Sequence, residues 1–335
     1  MTPARTERNL APVDLRVTEQ RNPRTARVDL ASPVEIVDLI NAEDRLVADA
    51  VASQRTQLAT AIEWAEAVFR AGGRRFYVGA GTSGRLGVLD ASEIPPTFGA
   101  PPGLVRGIIA GGHAALTRAQ EGAEDRPGAA RADLDAEGVR GGDFVIGIAA
   151  SGTTPYVRAA LERARELGAR TAIVACSLPP AAILAAADLA IVPVTGPEVV
   201  TGSTRMKAGT ATKLVLNTIT TGAMIRLGKT WGNLMVDLQA TNAKLRDRAA
   251  RIVCEVCGMA RDDAVALLAR AGGSVKTAIV MQKCGVDREA ALALIEGAGG
   301  SIRAVVREAP PPVNGAELVA SGDEPVRAVR PPPDR

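Results

Sequence analysis

The middle of the chain alternates short apolar runs with helix-like segments, and this alternation constrains the fold more than any other feature. Five runs are each long enough for one strand: RFYVG (75–79), GLVRGIIAG (103–111), DFVIGIAAS (143–151), ARTAIVACS (169–177) and DLAIVPVTG (188–196). Helical patterns such as TPYVRAALERARELG lie between most of them. Strands that alternate with helices form a parallel sheet with helices on both faces. The sequence therefore predicts an α/β fold with a doubly wound, five-stranded parallel sheet of flavodoxin-like or Rossmann-like layering.

The segments around this pattern predict a division into five parts. These are an N-terminal arm (1–31), N-terminal helices (32–64), the sheet domain (65–228), a small all-helical domain (240–306) and a Pro-rich tail (307–335). The arm is polar and interrupted by prolines, so we expect it to be loosely held, and the composition of the tail is typical of disorder. Strand patterns stop after Thr230, and the short helical patterns that follow predict a bundle.

Composition argues against several classes of partner. The chain has 335 residues, a net charge of +3, and only four Phe, two Tyr and two Trp. Such a mild charge and so few stacking platforms do not favour nucleic acid or a membrane surface. The sequence has no run of 18 apolar residues and no apolar leader at its N-terminus, so we expect neither a membrane span nor a signal peptide.

The four cysteines predict neither a disulfide framework nor a metal site. Cys254 and Cys257 have the spacing of a zinc or redox pair, but they lie in a helix-like run without a second Cys/His pair. Free cysteines of this kind are usually packed in a protein core. We therefore expect plain thiols, no metal, and a reduced, cytoplasmic enzyme.

The first apolar run leads into a glycine fingerprint, Gly79-x-Gly81-x-x-Gly84. In a dinucleotide-binding fold an acidic residue follows about 20 positions later, at the end of the second strand. Here that strand ends in Gly111, Gly112 and His113, without a carboxylate. The sequence therefore predicts no dinucleotide cofactor.

Hydroxyl groups in the strand-to-helix turns instead predict a phosphate site. The candidate residues are Gly81, Thr82 and Ser83 in the first turn, Ser151 and Thr154 in the second, and Ser203 and Lys207 in the third. Such turns gather at the carboxyl edge of a parallel sheet, where free backbone N–H groups and helix dipoles favour an anion. Helix capping alone would also explain some of these Ser and Thr residues. A phosphorylated sugar is the ligand that we predict.

Long motifs of the chain resemble a known family. The blocks GAGTSGRLGVLDASEIPPTFG, AGG…EGAED, GIAASGTTPYV and GPEVVTGSTRMKAGTATKLVLN are similar to those of the N-acetylmuramic acid 6-phosphate etherases, which are lyases with a sugar-isomerase (SIS) domain. The resemblance extends from about residue 18 to residue 306. It implies an SIS fold with a small helical C-terminal domain, a homodimer, and N-acetylmuramic acid 6-phosphate as substrate, with no cofactor or metal.

The resemblance also assigns two catalytic carboxylates. Glu93 matches the acid that protonates the departing lactate, and Glu124 matches the second carboxylate, which we expect to be the base at C2. Removal of the C2 proton, loss of lactate from C3 and addition of water would give N-acetylglucosamine 6-phosphate and D-lactate. Such chemistry needs one ionised and one neutral group, so we expect environments that push their pKa values apart. An extended exit at Ile94-Pro95-Pro96, with the apolar Ile94 beside it, would hold Glu93 in place.

Similarity to other SIS turns points to Ser83, Ser151 and Thr154 as phosphate contacts. The source of positive charge stays open at this point. Thr153 stands where many etherases have Arg, and Ala149 stands where sugar isomerases often have Ser. The candidate cations are Arg85, Arg205 and Lys207, of which the motif favours Lys207.

Two other functions remain open from the sequence. A non-catalytic sugar-phosphate sensor could use the same fold, although residues 1–60 lack the basic recognition helix of a DNA-binding regulator. An aldose–ketose isomerase would lack the acid at Glu93. His113, the single histidine, is expected to be incidental to the reaction.

Overall fold

A computed structural model describes residue 14, residues 16–240 and residues 242–312. Its main sheet has five strands: β1 (Arg75–Gly79), β2 (Val105–Ile109), β3 (Phe144–Ile148), β4 (Arg170–Val174) and β5 (Leu189–Ile191). Their order is β2-β1-β3-β4-β5, and every neighbouring pair is parallel. This is the flavodoxin-like order of a doubly wound sheet, so the predicted fold class is confirmed.

Among the described residues, seven α-helices belong to the sheet domain and the segment before it. They are α1 (Pro33–Ala52), α2 (Arg55–Arg70), α3 (Gly81–Phe98), α4 (Pro127–Ala136), α5 (Pro155–Glu166), α6 (Ala181–Leu184) and α7 (Lys207–Arg226). The first three and α7 pack on one face of the sheet, against Tyr77 of β1, while α4, α5 and α6 pack on the other, against Phe76 and Val78. Because both faces are covered, most strand residues are apolar, and every residue of β1 and β3 is buried.

The C-terminal part of the described chain has its own hydrophobic core. A two-stranded antiparallel ribbon, β6 (Thr230–Trp231) and β7 (Leu234–Met235), leads into five helices. These are α8 (Ala243–Cys257), α9 (Arg261–Arg270), α10 (Val275–Cys284), α11 (Arg288–Gly297) and α12 (Ile302–Val306). Their apolar side chains form a cluster separate from the two beside the main sheet. The predicted small helical unit is confirmed, with the ribbon as an addition that the sequence patterns did not indicate.

Residues 16–31 are anchored to the sheet domain, which corrects the expectation of a loosely held arm. Three short 3-10 helices form this segment, at Val17–Glu19, Pro23–Thr25 and Val28–Leu30. The backbone N–H of Thr18 donates to Ser177 Oγ at 3.2 Å, and Thr25 Oγ1 donates to the carbonyl oxygen of Val199 at 2.8 Å. Both threonines are buried. Polar composition did not reveal these anchors because their partners lie more than 150 positions away in the chain.

Helix α3 continues through the prolines, so the expected extended exit after Glu93 is wrong. Pro95 and Pro96 lie in its last turns, and Gly99, with a φ of +59°, ends the helix by donating its N–H to the Pro95 carbonyl oxygen. Ile94 and Phe98 are buried in the core. Their burial offsets the hydrogen bonds that the two prolines cannot make.

Some predictions fall beyond the described residues or stay untested. Residues 1–13 of the arm and 313–335 of the Pro-rich tail lie outside the described part, and the five-part division of the chain remains a prediction. Within the described residues no single helix is long and apolar enough to cross a membrane. Helices α9 and α10 reach that length and composition only together, and they are bent by 103°.

Candidate active site

A cavity of about 390 Å³ lies where the carboxyl ends of β1 and β3 meet. The chain passes from β1 to β2 on one side of this point, while β3 lies on the other side, so the cavity is at the switch point of the sheet. Open α/β sheets bind their ligands at this position. Five segments line the cavity: Arg16 and Glu19; Ala80 to Ser83; Glu124 and Asp125; Ile148 to Ser151 with Thr153 to Pro155; and Thr204.

Close packing between β1 and α3 explains the glycine fingerprint without a dinucleotide. A Cβ atom on Gly84 would lie 2.7 Å from the Gly79 carbonyl oxygen, and one on Gly79 would lie 2.8 Å from the Gly84 nitrogen. Gly81 has a φ of +51°, which side chains rarely allow. These glycines bring the first turn of α3 against the end of the strand, which places Thr82 and Ser83 in the cavity.

Hydrogen bonds of its own hydroxyl groups stabilise the β3–α5 turn. Ser151 Oγ lies 2.9 Å from Thr153 Oγ1 and accepts the Thr153 backbone N–H at 3.3 Å. Thr154, the N-cap residue of α5, makes no side-chain capping hydrogen bond, and Ala80 at the start of α3 makes none either. Two helices therefore begin at the cavity with uncapped N-termini. Each dipole favours an anion by about 0.3–1 kcal/mol at an exposed site.

Glu124 reaches the cavity from the segment after β2. It lies in a short 3-10 helix, Ala123–Asp125, that follows Gly122, whose φ is +69°. Glu124 and Asp125 both line the cavity, and both are exposed in the single chain. The structure therefore brings Glu124 together with Ser83, Ser151 and the other hydroxyl groups of the turns.

Glu93 does not line this cavity. It lies on α3 twelve residues after Gly81, which corresponds to about 18 Å along the helix axis at 1.5 Å per residue. Its side chain is exposed. Ile94 points into the core instead of covering it, so Ile94 does not supply the apolar environment that we expected for this acid.

A buried polar network fixes α3 one turn before Glu93. Asp90 accepts hydrogen bonds from Tyr77 Oη at 2.7 Å, Thr220 Oγ1 at 2.5 Å and Asn217 Nδ2 at 2.6 Å. Burial is the main cause that raises the pKa of Tyr77, and the neighbouring Asp90 carboxylate raises it further. The network joins α3 to β1 and α7, so the helix that carries Glu93 is held in a defined place.

Lys207 is not available to a phosphate in this structure, although the motif favoured it. Its side chain is 0% exposed, and Nζ lies 2.5 Å from Glu43 Oε2. Glu43 is also paired with Arg24, and these hydrogen bonds, that of Arg24 first, lower the pKa of Glu43 to about 2. The Lys207 backbone N–H donates to Glu198, which caps α7. Lys207 therefore ties the N-terminal segments to α7.

The third turn contributes Thr204 to the cavity in place of the predicted Ser203 and Lys207. Ser203 does not line the cavity, whereas its neighbour Thr204 does. Arg205 is exposed and does not line it. The sequence motif located the turn correctly but could not decide which side chain faces the sheet edge.

Two lining residues come from the arm and were not predicted. Among the described lining residues Arg16 is the one cation, and it is paired with Asp14, Nη2 to Oδ2, at 2.5 Å. Hydrogen bonds from Arg16 lower the pKa of Asp14 to about 2. Glu19 lies at the start of the block TEQRNPRT. The family resemblance begins at about residue 18, and this was the one sequence signal that could have indicated Glu19.

In the described part of the chain no residues are arranged as a site for metal or thiol chemistry. Within it no three His, Cys, Asp or Glu side chains are grouped as a metal ion would require. All four cysteines are free. His113 lines a separate cavity beside β2, away from the turns of β1 and β3.

Curated relatives with high identity share one name. N-acetylmuramic acid 6-phosphate etherase of Symbiobacterium thermophilum is 58% identical over 264 residues, which cover 79% of this chain and 87% of the relative. The etherase of Pectobacterium atrosepticum is 54% identical over 264 residues, covering 79% and 87%.

A family model matches part of the chain, and a solved structure has a weak likeness to it. The model of the glucokinase regulatory protein N-terminal SIS domain matches residues 57–165. A phosphoheptose isomerase from Francisella tularensis aligns with a TM-score of 0.44 and 17% identity, covering 56% of this chain and 98% of that one.

Proposed function

The chain belongs to the N-acetylmuramic acid 6-phosphate etherase family, and from this membership we propose that it is a lyase. Its reaction is cleavage of the D-lactyl ether of N-acetylmuramic acid 6-phosphate, which with water gives N-acetylglucosamine 6-phosphate and D-lactate. The observation that carries this proposal is 58% identity over 79% of the chain with an etherase. The reaction belongs to amino sugar catabolism and the recycling of peptidoglycan.

The cavity at the switch point is the proposed substrate site. Ser83, Ser151 and Thr154 offer hydroxyl donors there, together with the uncapped N-termini of α3 and α5. Several N–H groups and hydroxyl groups at one place suit a phosphate. We assign the positive charge to Arg16, which lines the cavity and stays partly exposed in its pair with Asp14, whereas Lys207 is fully buried in its pair with Glu43.

Glu124 is the proposed base. In the open-chain sugar the C1 aldehyde acidifies the C2 proton, and the ether oxygen on C3 lies β to that carbonyl. Glu124 takes the C2 proton, the C3–O bond breaks, and the departing oxygen receives a proton from Glu93. Water then adds to C3 and gives its proton to Glu93, while C2 regains a proton from Glu124. Proton transfers of this kind contribute about 10²–10⁴-fold each.

The position of Glu93 supports a site shared between two subunits. Glu93 is exposed and lies about 18 Å along α3 from the cavity of its own chain. One turn earlier on the same face, Leu89 is 53% exposed, so this face of α3 presents an apolar residue beside the acid. We propose a homodimer in which Glu93 of the partner subunit completes the cavity around Glu124.

Mixing two inactive variants tests the shared site. E93Q and E124Q are expected to be inactive alone. In a shared site, a dimer of one E93Q chain and one E124Q chain has one cavity with both glutamates. Random mixing after refolding or coexpression then restores about a quarter of wild-type activity, because half of the symmetric dimers are mixed. No recovery in mixed dimers would place both glutamates on one chain and contradict this arrangement.

Release of D-lactate by the purified protein from N-acetylmuramic acid 6-phosphate tests the function itself. Lactate release supports the lyase, whereas tight binding without turnover leaves the sugar-phosphate sensor. We also propose a cytoplasmic location, because the four free thiols are typical of a reducing compartment.

A further inference from the structure

A second, smaller cavity lies beside the proposed substrate site. Its volume is about 170 Å³, and it shares Ala80, Gly81 and Glu124 with the larger cavity. Most of its other lining is alanine and glycine, and its polar side chains, besides Glu124, are Arg85, Gln120 and Glu121. Glu124 therefore borders both cavities.

Arg85 is the one cation among the described residues that line the small cavity. It lies one helical turn after Gly81 on α3, so both residues face the same side of that helix. Its Nε atom donates to the Leu116 carbonyl oxygen at 3.1 Å. This bond orients the guanidinium group, and within the described residues Arg85 forms no salt bridge. Its two terminal nitrogens thus remain as donors for a ligand.

The substrate of the proposed reaction has one group that its sugar product lacks, a lactyl carboxylate attached through oxygen to C3. A base that acts at C2 must lie beside the substituent on C3, because the two carbons are bonded. With the sugar phosphate in the large cavity and Glu124 at C2, the substituent on C3 lies close enough to enter the space that adjoins the large cavity at Ala80, Gly81 and Glu124. That space is the small cavity.

Size and charge of the small cavity suit a lactyl group. By this kind of volume one water needs about 10–15 Å³, so a cavity of about 170 Å³ has room for a group of several non-hydrogen atoms. Lactate has six non-hydrogen atoms, and covalent bonds hold them closer together than separate waters. A guanidinium group binds a carboxylate with two parallel hydrogen bonds. Such a pair also offsets the repulsion between the lactyl carboxylate and the nearby Glu121 and Glu124.

We propose that the small cavity is the lactyl subsite, in which the Arg85 guanidinium group binds the carboxylate of the ether that is cleaved. The inference rests on the proposed function and extends it, because it assigns the residue that distinguishes substrate from product. N-acetylglucosamine 6-phosphate fills only the large cavity and makes no contact with Arg85. The subsite also receives the lactate that leaves.

Two ethers that differ by a single carboxylate test this assignment. One is N-acetylmuramic acid 6-phosphate, and the other is the 3-O-ethyl ether of N-acetylglucosamine 6-phosphate. R85Q is expected to lower kcat/KM for the lactyl ether by about ten- to a hundred-fold, the usual effect of a hydrogen bond between charged groups. For the ethyl ether, kcat/KM is expected to change less than about two-fold, since that ether has no charged partner for Arg85. If turnover of the ethyl ether is slow, the same limit applies to its inhibition constant.

R118Q is the matched control, because it removes the same charge from the neighbouring segment at an exposed position that lines neither cavity. It is expected to leave both ethers unaffected. Binding of N-acetylglucosamine 6-phosphate to R85Q at wild-type affinity verifies that the larger cavity is intact. If R85Q does not fold, R85K replaces it, with a smaller loss that is again confined to the lactyl ether.

Three experimental outcomes distinguish failure of the proposed subsite from failure of the proposed function. An equal loss for both ethers in R85Q means that Arg85 only supports the segment through Leu116, and it overturns the subsite. Unchanged kcat/KM for the lactyl ether in R85Q also overturns it. A wild-type protein that releases no lactate from N-acetylmuramic acid 6-phosphate contradicts the proposed function itself.

Discussion

Lys207→Met is expected to destabilise the protein without weakening substrate binding. Lys207 is fully buried, its Nζ atom lies 2.5 Å from Glu43 Oε2, and Glu43 is itself 2% exposed. Removal of the ammonium group leaves a buried carboxylate with Arg24 as its remaining charged partner. If Lys207 instead bound the phosphate, as its motif suggested, the same substitution would raise KM.

The magnitude follows from the perturbed carboxyl group. Arg24 first and Lys207 after it lower the pKa of Glu43 from 4.5 to about 2. At about 1.36 kcal/mol per pKa unit the complete set of partners stabilises the folded state by about 3 kcal/mol. Because Arg24 remains in the variant, we expect K207M to lose about 2 kcal/mol, below the 3–5 kcal/mol of a fully broken buried pair. A loss of that size lowers Tm by about 4–8 °C.

The assay combines thermal unfolding with kinetics at a temperature where all variants are folded. K207M, E43Q and the double variant form a cycle, and the double variant is expected to lose less stability than the sum of the single losses. The stabilisation by Glu43 is complete above its unfolded pKa and disappears as the pH falls through about 2. The difference in stability between wild type and E43Q should therefore vanish towards pH 2. A tenfold rise in KM for K207M with unchanged Tm would refute this reasoning.

Three further predictions concern the site. E93Q should bind N-acetylglucosamine 6-phosphate like wild type but release lactate at least about 100-fold more slowly, since it cannot protonate the leaving group; normal turnover would remove Glu93 from the mechanism. In G84A the new Cβ would lie 2.6 Å from Ile109 Cγ1. This variant should lose about 1–3 kcal/mol of folding stability and bind the sugar phosphate more weakly, because the first turn of α3 is displaced. In the control G128A the new Cβ lies in open space, so neither stability nor binding should change. Incubation with EDTA should leave lactate release unchanged, whereas loss of activity would require a metal site.

The fold could be predicted because its strands are buried on both faces. The run 144–148 is apolar along its full length, and the run 170–174 ends in three apolar residues, which in an alternating α/β pattern indicates a covered parallel sheet. Turn chemistry also located the cavity, since hydroxyl residues after β1 and β3 had to meet at one sheet edge. Local sequence is sufficient for both conclusions.

The parts that the sequence did not reveal depend on contacts between distant segments. Arg16 and Glu19 reach the cavity only because Thr18 and Thr25 bind residues more than 150 positions away. Lys207 has the sequence context of a phosphate ligand, but its partner Glu43 lies on α1, 164 positions earlier. A sequence motif identifies functionally or structurally important residues, but it does not show which residues each side chain contacts in the fold.

A crystal structure of E93Q with N-acetylmuramic acid 6-phosphate tests the central claim most directly. The account predicts the phosphate at the N-termini of α3 and α5, beside Ser83, Ser151 and Thr154, with C2 within hydrogen-bond reach of the Glu124 carboxylate. The amide that replaces the carboxylate of the partner subunit's Glu93 would lie near the ether oxygen on C3. A sugar bound with C2 more than about 10 Å from Glu124, far beyond the reach of proton transfer, would contradict it.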